Sequence, residues 1–211
     1  VRRVVLALVI TGWLASGCAI ANGAQVPGPA TNTGQRAQAL AALGAPRPED
    51  TGAHYNRKDW GEWAYDPATK CNTREQVLAR DGVGIKLDDQ CKAKCPAGTC
   101  WTSRYDGKAV KDAADLQIDH LVPLAEANRS GARDWSPERR NQFYNDPANL
   151  VPVTAKSNGS KGDSDPGRWR PQDRAAWCDY ATGYVAIKAK YGLSVDDQEY
   201  AELERMLNSC P

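Results

Sequence analysis

The sequence predicts an α+β fold: a single domain, mostly helical, with little sheet and its loops held by disulfides. Three observations carry this expectation. Several amphipathic segments begin at recognisable helix caps; only two short segments alternate as strands do; and six cysteines remain once one near the N-terminus is set aside. The 211 residues suit one domain of ordinary size. Seven Trp and eight Tyr against one Phe and one Met imply a core built on aromatics with polar edges.

The N-terminal residues are expected to stand outside the fold. Arg2 and Arg3 precede an apolar run over 4–14, which is shorter than the roughly 20 residues of a membrane span. Small residues follow to Ala21, so 1–21 reads as an export signal. Ala19-Ile20-Ala21 offers one cleavage site. Leu14-Ala15-Ser16-Gly17-Cys18 offers another, resembling a bacterial lipobox that would make Cys18 a lipid anchor. Residues 22–50 are rich in Ala, Gly, Pro, Thr and Asn and read as a flexible linker, leaving 51–211 as the domain, folded from near Tyr55.

An even set of six cysteines in an exported domain reads as three disulfides: Cys71, Cys91, Cys95, Cys100, Cys178 and Cys210. The pairing stays open, although Cys178 with Cys210 would tie two C-terminal helices together. A zinc site using Cys91, Cys95 and Cys100 is the alternative.

Taken in order, the elements are these. A helix starts over 72–78, with Thr73 and Gln76 placed as a capping box. The stretch 91–100 is loop. Residues 116–119 alternate as a strand. Ser136 caps a helix with Pro137 in its first turn, and Asn145-Asp146-Pro147 ends it. Residues 149–153 form a second strand and 155–161 a short helix. A longer helix over 174–191 stops at Gly192, with Trp177, Ala181, Tyr184 and Val185 on one face. Ser194 and Asp197 cap the last helix, which turns Tyr200, Leu203 and Leu207 inward.

Chemistry concentrates in three short segments around Asp119-His120, Asn149 and Asn158. A carboxylate beside an imidazole offers a hard oxygen ligand and a proton acceptor near neutral pH. A strand directs adjacent side chains to opposite faces, so a bend is expected to turn both toward one cleft. Lys156 and Lys161 flank Asn158 and could sit on a phosphate backbone. Arg74 lies early on a helix, where the dipole disfavours a cation, which suggests phosphate binding. Arg80 and Trp169 are weaker candidates, and Trp169 reads mainly as core.

Asp119-His120-x-Val122-Pro123, Asn149-Leu150 and Asn158 followed by Lys161-Gly162 together resemble the HNH endonucleases of the ββα-metal superfamily. Cys71-Asn72-Thr73-Arg74, Trp169-Arg170-Pro171 and Cys178-Asp179-Tyr180 extend the similarity to an exported bacterial branch, over roughly 55–207. The resemblance implies a small ββα motif embedded in the larger domain. It implies His120 as general base, Asn149 orienting it partly through the loop between the strands, and Asp119 and Asn158 as ligands of one divalent cation. An oxygen-rich set suits Mg²⁺, or Mn²⁺. The implied substrate is DNA, or RNA, cut with low sequence preference. A monomer without a protein partner is expected. The zinc-binding Cys-x-x-Cys pairs of many HNH proteins are missing from the sequence.

Formal charge is +1, and losing Arg2 and Arg3 with a leader would put acidic residues one ahead. Affinity for a polyanion must therefore come from a local patch. Two other functions stay open: a non-catalytic binding lipoprotein of the cell envelope, and a hydrolase of another polymer. No carboxylate pair stands out for the latter.

Overall fold

The computed structural model describes residues 33–211 apart from 53, 97 and 99. The expected leader at 1–21, its cleavage sites and Cys18 lie outside the described residues.

Helix α1 (Thr33–Ala41) opens the described chain. It corrects the expected linker, because Leu40 is buried in the main core and α1 packs on the two C-terminal helices. Ala-rich sequence has high helix propensity, and one well-placed Leu suffices to dock it. The chain after α1 is also tied down. Arg47 N–H donates to Val195 O, Asp50 N–H donates to Arg129 O, and Glu49 pairs with Arg129 and Arg168.

Strands β1 (Tyr65–Asp66) and β2 (Cys71–Asn72) form a two-residue hairpin that leads into α2 (Thr73–Asp81). The capping box of α2 uses Asn72 and Glu75, one residue before the expected pair. Asn is as good a cap as Thr, and here it sits at the extended residue that a cap requires. Two more small hairpins follow: β3 (Lys86–Leu87) with β4 (Ala93–Lys94), and β5 (Trp101–Thr102) with β6 (Ala109–Val110). Part of the expected 91–100 loop is thus strand. Disulfides Cys71–Cys91 and Cys95–Cys100 hold this region, and Cys178–Cys210 ties the C-terminal helices. All six cysteines are thereby oxidised, so none is a thiolate ligand for zinc.

The longest ladder pairs β7 (Leu116–His120) antiparallel with β8 (Leu150–Thr154), with His120 opposite Leu150 and Leu116 opposite Thr154. Between them lie α3 (Leu124–Ala127) and α4 (Pro137–Tyr144), the latter capped by Ser136 with Pro137 in its first turn, as the sequence predicts. Thr154 caps α5 (Ala155–Lys161), whose end at Gly162 has φ of 57°. Such a backbone favours glycine. The strand–strand–helix unit is therefore β7, β8 and α5.

Helix α6 (Trp177–Tyr191) ends at left-handed Gly192. Helix α7 (Asp197–Leu207) is capped by Asp196 with Glu199, not by Ser194 and Asp197. The two pack together around Tyr184, Leu203 and Met206. The result is the α+β, disulfide-stabilised domain that the sequence predicts. Among the described residues no helix is long and apolar enough to cross a membrane.

Candidate active site

Both residues of the Asp119-His120 pair lie at the end of β7, and their side chains take different surroundings. Asp119 shares its face with Gln117, two residues back, and that face meets α5. Asn158 and Lys161, three residues apart on α5, reach those two positions. Asn158 Nδ2 donates to Gln117 Oε1 at 2.7 Å, and Lys161 Nζ donates to Asp119 Oδ2 at 2.6 Å. Tyr105 from the β5–β6 hairpin donates its hydroxyl to the same Oδ2 at 2.5 Å. Asp119 Oδ1 and Asn158 Oδ1 accept no hydrogen bond among the described residues. About a tenth of the Asp119 side chain stays exposed.

Lys161 departs from its expected role on a nucleic-acid backbone. Its side chain is fully buried, and Nζ also donates to the His120 main-chain O at 2.7 Å. Burial pulls its pKa down, and Asp119 opposes that shift. Desolvating an ammonium is costly, so its neighbour must be a carboxylate. Lys156, one turn back, is exposed on α5.

The His120 ring packs beside Trp63, parallel at 5.9 Å and 7°, and Tyr144 at 5.0 Å, two rings that also meet each other at 4.8 Å. Its Nε2 lies 2.8 Å from Tyr144 O. A carbonyl only accepts, so Nε2 carries the proton and Nδ1 keeps its lone pair. Nδ1 has no hydrogen bond among the described residues. Burial pushes the ring's pKa down to about 4, which keeps the imidazole neutral at neutral pH.

Asn149 is buried and bonds across to the loop that follows His120. Its Oδ1 accepts from Val122 N at 2.9 Å, and its Nδ2 donates to Val122 O at 3.2 Å. Its main-chain O accepts from Leu121 N at 2.8 Å. Asn149 therefore fixes the loop through these hydrogen bonds, while the His120 ring is bonded to Tyr144 O.

Arg74, expected on phosphate, is bonded within the protein through one guanidinium nitrogen. Its guanidinium donates to Ala113 O and Leu116 O, where β7 begins. Arg80, on the same helix, does the same for β8 through Pro147 O and Leu150 O. These two arginines brace both strand starts, which explains a cation early on α2. Trp169 packs edge-on against Tyr105 and Tyr180, as expected for core. Asp146 caps the turn before β8 and accepts from Lys190 and Tyr191.

Oxygen donors of a carboxylate and an amide, both uncommitted, fit a hard divalent cation. Two cavities lie away from these residues. One of about 770 Å³ borders α2 and β4, and one of about 620 Å³ borders β5 and α6. Neither is lined by His120 or Asn158. A second acidic cluster, Glu49, Glu126 and Asp165, is already paired with Arg129, Arg168 and Lys188.

A family described as the C-terminal domain of GmrSD restriction endonucleases matches residues 74–206. The chain belongs to that family. The matched span runs from the first bracing arginine of α2 to the end of α7, so this GmrSD C-terminal domain contains the whole β7–β8–α5 unit. The chain is also 38% identical over 194 residues to an uncharacterized secreted protein of Arthroderma benhamiae, covering 90% of this chain and 93% of that protein. No solved structure matches it.

Within this family member, sequence reasoning missed Tyr105, Trp63, Tyr144 and Gln117. Each is distant along the chain from the residue it supports, or acts through its main chain. Tyr105, fourteen residues before Asp119, could have been suspected only from its position between a disulfide-held hairpin and the motif.

Proposed function

We propose that this protein is an exported, metal-dependent endonuclease that hydrolyses phosphodiester bonds of DNA, with RNA as a second substrate class. The observation that carries the reading is the β7–β8–α5 unit. In it, Asp119 of β7 and Asn158 of α5 each keep a free oxygen, and β7 ends in a neutral His120 of defined tautomer. Membership of a family of restriction-endonuclease domains supports phosphodiester chemistry. Three disulfides, the leader-like first 21 residues and the secreted relative support export. Lipid attachment at Cys18 is part of the same proposal.

His120 acts as general base, its Nδ1 accepting a proton from the attacking water while Tyr144 O holds the ring. Asn149 keeps the loop after His120 in register. Asp119 and Asn158 would hold the cation. Bound Mg²⁺ or Mn²⁺ would stabilise charge on the phosphate and on the leaving 3′ oxygen. Lys156, exposed on α5, would meet a neighbouring phosphate, a contact that carries no sequence information.

The test is digestion of plasmid and RNA by oxidised protein stripped with EDTA, then given Mg²⁺ or Mn²⁺. Cleavage should appear only with the cation and leave 5′-phosphate, 3′-hydroxyl ends that a ligase rejoins. Equal cleavage in EDTA, or none from folded protein with either metal, would overturn the reading.

A further inference from the structure

Asp119 Oδ2 is saturated from inside the protein. A carboxylate oxygen offers about two lone-pair sites. Here one takes the Lys161 ammonium at 2.6 Å and the other the Tyr105 hydroxyl at 2.5 Å. Both donors are buried, with Tyr105 1% exposed and the Lys161 side chain fully covered. Neither is free to swing away. The Tyr105 ring packs edge-on against Trp169 at 5.0 Å and Tyr180 at 5.7 Å, in a cluster where those two rings also meet at 5.9 Å. Lys161 is also tied to the His120 main-chain O.

The geometry points to Tyr105 and Lys161 as positioning residues that make Asp119 a one-oxygen ligand and so set which cation the site accepts. This rests on the reading of Asp119 as a metal ligand. With Oδ2 occupied, only Oδ1 is left to donate. Ca²⁺ takes six to eight oxygens and readily uses both oxygens of a carboxylate. Mg²⁺ and Mn²⁺ suit six-coordinate oxygen sites, and Mg²⁺ keeps several of its waters. A carboxylate held to one oxygen therefore disfavours Ca²⁺ far more than Mg²⁺. Lys161 adds a second effect. Its positive charge offsets that of Asp119, so binding depends on Oδ1 geometry more than on bulk attraction. Tyr105 and Lys161 reach Asp119 from opposite directions along the chain, 14 residues before it and 42 after it. Closing the clamp thus requires the β5–β6 hairpin and α5 to be in place together.

The test reads ion binding without catalysis. Mn²⁺ would be titrated by electron paramagnetic resonance into oxidised wild-type, Tyr105→Phe, Lys161→Met and Asp119→Ala proteins at one pH. Bound Mn²⁺ would then be competed with Mg²⁺ and with Ca²⁺. Freeing Oδ2 should raise the affinity of Ca²⁺ relative to Mg²⁺ on the order of tenfold in Tyr105→Phe and Lys161→Met. A purely structural role would weaken both ions alike and leave that ratio unmoved. If Lys161→Met does not fold, Tyr105→Phe decides alone, since it keeps the ring packing and loses only the hydroxyl. Mn²⁺ binding lost in Asp119→Ala, with an unchanged Ca²⁺ to Mg²⁺ ratio in the folded clamp variants, would overturn the clamp and leave the metal site standing. Wild-type binding no tighter than Asp119→Ala would overturn both.

Discussion

Two lysines among the described residues have fully buried side chains, Lys161 and Lys188, and they differ in what they leave free. Lys188, in the last turn of α6, meets Glu126 at 2.7 Å, Glu199 at 2.6 Å, Ser130 Oγ at 3.0 Å and Ser194 O at 2.7 Å. Ser130 hydroxyl also donates to Glu126, and Arg129 takes the other Glu126 oxygen. That network closes on itself between α3, α6 and α7. Lys161 meets one carboxylate and one carbonyl, and Asp119 keeps an oxygen that nothing in the described protein uses. The same device, a buried ammonium, thus locks a scaffold in one place. In the other it leaves one carboxylate oxygen uncommitted. The Lys188 network turns its polar atoms inward, with Glu199 Oε1 held by ion pairing alone, whereas Asp119 Oδ1 stays uncommitted.

The contrast is broken most directly by removing each ammonium. Lys188→Met strands two buried carboxylates and should cost on the order of 3–5 kcal/mol in urea denaturation. Lys161→Met strands one, which Tyr105 still serves and water can reach, so it should cost less, about 1–3 kcal/mol. Equal costs, or the reverse order, would mean that the two centres are alike. A smaller effect sharpens the contrast by pH. Burial raises the pKa of Glu199 from 4.5 to about 7, against the pull of Lys188, and the charge of nearby Glu126 adds to the rise; burial raises that of Glu126 too. The folded state then holds a proton that the unfolded state has lost. The stability gained is full below pH 4.5 and is lost as pH rises through about 7. Glu199→Gln should flatten this decline between pH 5 and 8, a difference of up to about 3 kcal/mol on calorimetric or urea midpoints. An unchanged pH profile would contradict the raised pKa of Glu199. The smallest effect belongs to Lys156→Ala. On the exposed side of α5, it should change stability by less than about 0.5 kcal/mol. It should reduce the salt dependence of DNA binding by about one counterion.

The same contrast shows what the sequence made legible. Strand alternation over 116–119, the Ser136-Pro137 cap, the Gly192 stop and the pairing of Cys178 with Cys210 are local or spacing signals, and the structure carries each of them. So is the strand–strand–helix unit, whose elements are consecutive in function though not in sequence. Side-chain partners across the fold were not legible. Lys161 stands among polar residues on a short helix and reads as solvent-facing until the tertiary fold carries it under Asp119. Lys188 between Ile187 and Ala189 gives no sign of the two glutamates it will meet, 62 residues before it and 11 after it. Arg74 looks misplaced at a helix start because its acceptors, two carbonyls of another segment, are invisible to local rules. The stretch that becomes α1 has linker composition, and one buried Leu outweighs it.

Plasmid cleavage by oxidised wild-type and His120→Ala proteins in Mg²⁺, both shown to be folded by the same thermal transition, tests the nuclease site most directly. A general base at His120 predicts that the variant cuts at least about a hundredfold more slowly. A folded His120→Ala protein that cuts at the wild-type rate would contradict it.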